Sequence, residues 1–351
     1  MTDELTAEEC LRLAPHFTDL EGPVFALTEL PEVVKGALFA RYSRSPKSLR
    51  RLWLDEFAGG EPAGGTAAVD TRRAEQLYDR VFLEYGDDSV AQLGGVHLAV
   101  EGASNLLTKI LEWGRLMAYL EQSTRYIPYD DRPGGRWRYH VPAELTGSLR
   151  ERYSATLDAA FATYAAWLPR LRDSYTAKFP RAAGDSETAY RMTIRAKALD
   201  TLRGLLPAAT TSNVGIYGTA QAYEQLLLRM RAHPLIEVRA CADAMLRELR
   251  KVIPAFLKRV DAPERGVVWS TYFAETRAAV TEVARGLLVD VPVAARDEVT
   301  LTDFDPDGEI KVVAAALYAA STMPDDQLLE LARRLTEAER SAVLEAYVAK
   351  A

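Results

Sequence analysis

The amino-acid sequence predicts a mainly helical α+β fold, on three observations. Apolar residues recur at helical spacing over much of the 351 residues, strand-like alternation is confined to a few short segments, and turn-rich stretches separate the long periodic runs. With 48% hydrophobic and 26% charged residues the chain can bury a sizeable core. That excludes a disordered, collagenous or disulfide-scaffold class and suits one large domain with a small appendage.

Taken in order, Val24 to Leu27 reads as a short strand after Gly22-Pro23, and Val33, Val34, Ala37, Leu38 and Tyr42 as one face of a helix. Gly59 to Gly65 is a loop, and helical spacing resumes through Ala74 to Tyr85 and again through Leu98 to Leu120. Asp130 to Gly135 is a turn, and Trp137 to Val141 alternates in bulk like a strand. Ser148 to Lys178 opens on the spacing of a capping box, Ser148 with Glu151, and reads as a long helix. Glu187 to Leu205 is the next. Gln221 to Val252 is helical but broken near His233-Pro234, because proline disfavours helix at its predecessor. Val267 to Trp269 is a third strand candidate. The texture turns acidic near Asp290, which divides the chain into 1–290 and a helical appendage, 291–351, with helices Glu309 to Ser321 and Asp325 to Ala349. Asp303 to Glu309 has the look of a calcium loop, but Pro306 interrupts it and no bidentate Glu stands at the required distance.

Charge and rare residues narrow the function. Lys and Arg number 43 against 50 Asp and Glu, a net charge of −7, which argues against a general binder of nucleic acid or anionic membrane. Cys10 and Cys241 stand alone, so structural zinc and disulfides are not expected and a reducing cytoplasm is. No apolar run reaches the roughly 20 residues that span a bilayer. The four histidines are scattered and mark neither a metal centre nor a triad; His97, inside an apolar stretch, reads as a core residue.

The segment from Glu112 to Tyr129 carries the chemistry. Glu121, Ser123 and Arg125 alternate at spacing two, and in extended backbone they point the same way. A guanidinium, a hydroxyl and a carboxylate together suit a phosphorylated sugar, and equally suit a capped helix end with a surface ion pair. Arg203, one turn before Pro207, and Arg229 and Arg239, in apolar helical stretches, need partners: a bound dianion, or Glu187, Glu224 or Glu237.

These segments together resemble the flavin-dependent thymidylate synthases. Their signature R-H-R-x-x-S-x-N-E-x-S-x-R-Y lies over Trp113 to Tyr126, agreeing at Arg115, Glu121, Ser123, Arg125 and Tyr126 and departing at Trp113, Gly114, Ala118 and Leu120. Upstream, Gly86 to Leu93 is similar to the family's Gly-His-x-Ser-Pro-Phe-Glu-His, with Ser89 retained and Gln92 and Leu93 in place of Glu-His; downstream, Arg203 to Pro207 and Arg229 to Arg239 follow the family in order. The resemblance implies an α+β fold, mainly helical with a small antiparallel sheet, and a site shared between subunits of a homo-oligomer, a homotetramer. It implies that Glu121, Ser123, Arg125, Arg203 and Arg229 bind dUMP or UMP, with Arg229 catalytic in polarising the uracil, and that Ser89, Gln92 and Arg115 face FAD. NADPH and methylenetetrahydrofolate would be co-substrates in C5 methylation. Other flavin positions fall on Trp113, Gly114, Gly218, Ala220 and Glu224, where donors are lost. Val299 to Tyr318 resembles the start of a second copy, as in tandem relatives. Two alternatives stand beside the enzyme: a nucleotide-binding paralogue without flavin chemistry, serving as a regulatory or structural half, and a helical interaction protein with structural arginines.

Overall fold

A three-stranded antiparallel sheet in the order β1-β3-β2 lies at the centre of the first of two units, 1–284 and 285–351, in the computed structural model, which describes residues 5–58, 74 and 92–348. Strand β1 is Gly95–Ser104, β2 is Met117–Glu121 and β3 is Thr211–Thr219. In β3, Ser212, Val214, Ile216 and Gly218 are buried while Asn213, Gly215 and Tyr217 are exposed, the two-residue period of a sheet with one covered face. The β1–β3 register shifts between Val100 and Ala103, where Gly102 adopts φ +69°, a conformation that favours glycine.

The helices before the sheet are α1 (Ala7–Leu13), α2 (Glu32–Tyr42) and α3 (Leu49–Leu52), the last running into a wide turn at Trp53–Phe57. Helix α4 (Asn105–Leu111) separates β1 from β2; Ser104 caps it, its Oγ accepting from Leu107 N at 3.1 Å. Leu98 to Leu120 is therefore strand, helix and strand, not the single helix expected. Periodicity misled because these elements are short, and short apolar runs fit either period.

Beyond these come α5 (Gly147–Lys178), α6 (Glu187–Leu202), α7 (Ala220–Arg231) and α8 (Ile236–Leu249). The expected break at His233-Pro234 falls between α7 and α8. Helix α7 sits under the sheet: its buried Tyr223 hydroxyl donates to the carbonyls of Val96 (3.1 Å) and Ile216 (3.3 Å), tying helix to β1 and β3. Leu226, Leu227, Met230, Val238, Leu246 and Leu249 continue this core toward Val34, Leu38 and Trp53. A separate cluster of Tyr129, Trp137, Phe161, Tyr164, Leu168, Leu199 and Leu202 joins α5 to α6. The α5 start differs from the capping box expected at Ser148, since Thr146 is the N-cap and makes no side-chain cap bond.

Two expected strands shrink to single bridges, Phe17 with Leu27 and Tyr139 with Thr210. Val267 to Trp269 lies inside helix α9 (Gly266–Leu287). His97 is exposed on β1, its ring 4.5 Å from that of Tyr217, rather than in the core. The loop expected at Gly59 to Gly65, and all of Ala74 to Tyr85 except Ala74, lie outside the described residues.

The 285–351 unit holds α10 (Gly308–Tyr318), α11 (Asp325–Arg334) and α12 (Glu337–Val348) around Val313, Ala314, Leu328 and Ala332. The helix expected from Asp325 to Ala349 is split at Thr336, which exchanges hydrogen bonds with Glu339 as a new cap. Asp305 accepts from Asp307 N (3.0 Å) and pairs with Lys311 (2.7 Å). No described helix is long and apolar enough to cross a membrane.

Candidate functional site

Strand β2 delivers the chain to a turn built by Ser123. Gln122 N still bonds to Asn213 O of β3 at 2.8 Å, but the Ser123 carbonyl then accepts from both Tyr126 N and Ile127 N at 3.1 Å. The Ser123 hydroxyl accepts from Arg125 N at 3.3 Å. The extended alternation that would align Glu121, Ser123 and Arg125 thus stops at Ser123. Glu121 goes its own way, 3.4 Å from Lys109, which also holds Glu112 at 3.3 Å.

Arg125 and Arg203 meet. Arg125 Nε lies 3.3 Å and Arg203 Nη2 3.0 Å from the same atom, Asp200 Oδ1, with side chains 52% and 48% exposed. Helix α6 carries Asp200, and Arg203 opens the short 3-10 turn Arg203–Leu205 that follows it, so packing of Leu199 and Leu202 into the α5–α6 cluster fixes both. Nearby, Arg195 Nη2 donates to the Tyr126 carbonyl at 3.3 Å, holding the Ser123 turn against α6. Two half-exposed guanidiniums against one carboxylate leave surplus positive charge, suited to an anion.

Arg229 occupies a different place. It stands in the last turn of α7 and lines a cavity of about 630 Å³ with Trp113, Leu226, His233, Tyr272 and Arg277. Among the described residues it makes no hydrogen bond or ion pair. Its charge opposes the burial that raises the Tyr119 phenol pKa. Burial, then the charges of Arg277 and Arg239, lower the His233 pKa, and its Nδ1 accepts from Leu235 N at 3.2 Å. Arg277 donates to the Ala232 carbonyl at 2.8 Å, capping the end of α7. The sequence reading missed this wall: Tyr272 and Arg277 belong to α9, read in part as a strand, and the only signal was an arginine four residues after Phe273 on an apolar stripe.

The glutamates expected to partner the buried arginines have other partners. Glu187 faces Arg191 at 3.7 Å, Glu224 pairs with Arg259 at 2.9 Å, and Glu237 accepts from Ser104 N and Oγ at 3.0 and 2.7 Å. Arg239 donates instead to the carbonyls of His233 (2.6 Å) and Pro234 (2.8 Å).

Of the positions that the resemblance assigns to FAD, those where the sequence departs from the family, Trp113, Gly114, Gly218, Ala220 and Glu224, do not fit the cofactor in that manner. Arg115 and Gln92 are exposed, and Ser89 lies outside the described residues. Trp113 is 76% exposed and carries no charge for a phosphate. A side chain at Gly218 would run into Met117, its partner across the strands; Ala220 is fully buried, and Glu224 brings a buried, arginine-paired carboxylate. At Gly114 an added Cβ would stand 2.8 Å from Tyr119 Oη, which donates to the Gly114 carbonyl at 2.9 Å. Trp113→Arg with Gly114→His, which restores the family residues, is therefore expected to cost about 1–3 kcal/mol of stability through overpacking. It should retain no FAD after desalting; a flavin absorbance in the double variant would overturn the misfit.

The sequence itself matches known proteins. The sequence model described as thymidylate synthase complementing protein matches residues 37–255. A UPF0159 protein of Chlamydia pneumoniae is 36% identical over 99% of this chain and 67% of its own length, and a UPF0159 protein of Thermoplasma acidophilum 29% identical over 64% of this chain and 48% of its own. The chain thus spans about two thirds of the chlamydial relative. A flavin-dependent thymidylate synthase of Mycobacterium sp. (strain JLS) is 31% identical over 58% of this chain and 77% of its own length. On the matched span and these identities, the chain belongs to the thymidylate synthase complementing protein family.

Proposed function

We propose that this chain binds a uridine mononucleotide, dUMP or UMP, for C5 methylation, and that its described residues hold the nucleotide but not the flavin. The observation that carries the reading is the convergence of Arg125 and Arg203, from distant segments, on Asp200. A phosphate dianion entering there draws charge-assisted hydrogen bonds from both guanidiniums. Ser123 is a positioning residue: its hydroxyl holds the Arg125 amide, and no described histidine bonds to it as the base a serine nucleophile needs. Glu121 supports β2 through Lys109. Arg229, in a cavity with Trp113, Leu226 and Tyr272 in its walls, is suited to polarise a uracil carbonyl, since a base stacked there would itself exclude water from the guanidinium.

Methyl transfer, with methylenetetrahydrofolate and NADPH as co-substrates, belongs in this reading to the assembled protein, a homo-oligomer or a chain in which residues 291–351 begin a second copy. The filled flavin positions equally favour a paralogue in which only nucleotide binding survives, and the two share the same test. In a thermal-unfolding assay dUMP or UMP at a hundredfold excess over Kd is expected to add about 2.7 kcal/mol of stability, and uridine, lacking phosphate, much less. Arg125→Ala should weaken the nucleotide by about 1.5–3 kcal/mol. No shift with any nucleotide would leave the arginines structural, as in a helical interaction protein.

A further inference from the structure

A second arginine cluster lies in the cleft between α5 and α6; of its members Arg195, through the Tyr126 carbonyl, and Arg191, through Glu187, were named above. Arg172, Thr176, Thr188, Arg191 and Arg195 line a cavity of about 400 Å³, and no carboxylate is among its lining residues. Its shape is fixed by Tyr190, whose hydroxyl donates to the Phe179 carbonyl at 2.8 Å and so ties the start of α6 to the end of α5. Three guanidiniums at one cavity repel each other unless an anion offsets them, and their internal partners are few. Among the described residues Arg191 pairs with Glu187, at 3.7 Å with both side chains about 70% exposed. Arg195 uses one nitrogen on the Tyr126 carbonyl.

Arg172 adds an independent observation. Its Nε is shielded from solvent and has no hydrogen-bond partner among the described residues. Buried donors without acceptors are uncommon, and such a group calls for an acceptor that is not part of the chain. Each guanidinium offers five N–H donors in a planar fork matched to phosphate oxygens, and Thr188 adds a hydroxyl at the rim. The cavity is larger than an inorganic phosphate needs and within the range of small-molecule sites.

We propose that this cleft binds a small phosphate-bearing anion, a phosphomonoester or a diphosphate, clamped by Arg172, Arg191 and Arg195. It is distinct from the nucleotide reading: at Asp200 one carboxylate already offsets two arginines, whereas no carboxylate lines this cleft.

Titration calorimetry on the full chain with inorganic pyrophosphate tests it, with tricarballylate as a polycarboxylate comparison. Saturable binding that weakens steeply with salt is expected for pyrophosphate, with tricarballylate about tenfold or more weaker. The double variant Arg191→Gln, Arg195→Gln changes two exposed side chains, so it should fold. It is expected to bind pyrophosphate about 10- to 100-fold more weakly, the worth of charged hydrogen bonds. Arg125→Ala should bind it as the wild type does. No saturable heat, equal affinity for tricarballylate, or a loss in Arg125→Ala would overturn the site, the last by assigning the phosphate to Asp200 and its arginines. Far-UV circular dichroism of each variant keeps a folding failure from being read as lost binding.

Discussion

Phe161→Ala is expected to lower the free energy of unfolding by about 3–5 kcal/mol, the usual cost of removing a fully buried aromatic ring. Phe161 is wholly buried, stacked on Trp137 with ring centres 5.6 Å apart and beside Tyr139 at 5.8 Å. It belongs to the cluster that anchors Leu199 and Leu202, the residues flanking Asp200 and Arg203. The cavity left by alanine loosens α6, so dUMP affinity should fall with stability although Phe161 is not among the residues assigned to the nucleotide. Phe161→Leu, which keeps most of the apolar volume, should cost roughly half as much and restore most of the affinity. Urea unfolding and calorimetry with dUMP read the two effects separately. Unchanged affinity in a destabilised Phe161→Ala protein would show that this cluster does not position the nucleotide residues.

That link from core to site was only partly legible in the sequence. The long helices were, because helical periodicity runs through α5 and α6 and Pro234 marks the gap between α7 and α8, although the cap expected at Ser148 is not the one α5 uses. Strand β3 was not. Its buried face includes Ser212 and Gly218, so the alternation is one of burial and not of hydrophobicity, and no period of apolar residues announces it. The central strand of the sheet was therefore missed, and with it the reason Leu98 to Leu120 breaks into two strands that pair with it. At the site the residue types were legible and the pairings were not. Asp200 stands three residues before Arg203 at the end of α6, a spacing visible in sequence, but its hold on Arg125 depends on how the Ser123 turn meets α6. Glu224 could be seen as an odd carboxylate; its partner Arg259 is a tertiary contact.

Glu237→Ala should have a comparably large effect by a polar route. Glu237 sits in the first turn of α8 and accepts two hydrogen bonds from Ser104, at 3.0 Å from the amide and 2.7 Å from the hydroxyl; Ser104 is 1% exposed. His140 Nδ1 lies 3.7 Å away, and the Cys241 thiol is pushed up to about 11, chiefly by burial and then by the Glu237 charge. Hydrogen bonds to a charged acceptor contribute about 1.5–3 kcal/mol each, and donors left buried without a partner cost their full desolvation. Losing both bonds is therefore expected to cost about 3–5 kcal/mol, seen as a lower urea midpoint with an unchanged slope. Glu237→Gln keeps an acceptor without the charge and should lose about 1–2 kcal/mol. Because Ser104 caps α4, and α4 leads to Trp113 and Gly114, the alanine variant should also disturb the cavity that holds Arg229. A cost under about 1 kcal/mol would mean that water satisfies Ser104 in the variant, and would remove Glu237 from the framework of that cavity.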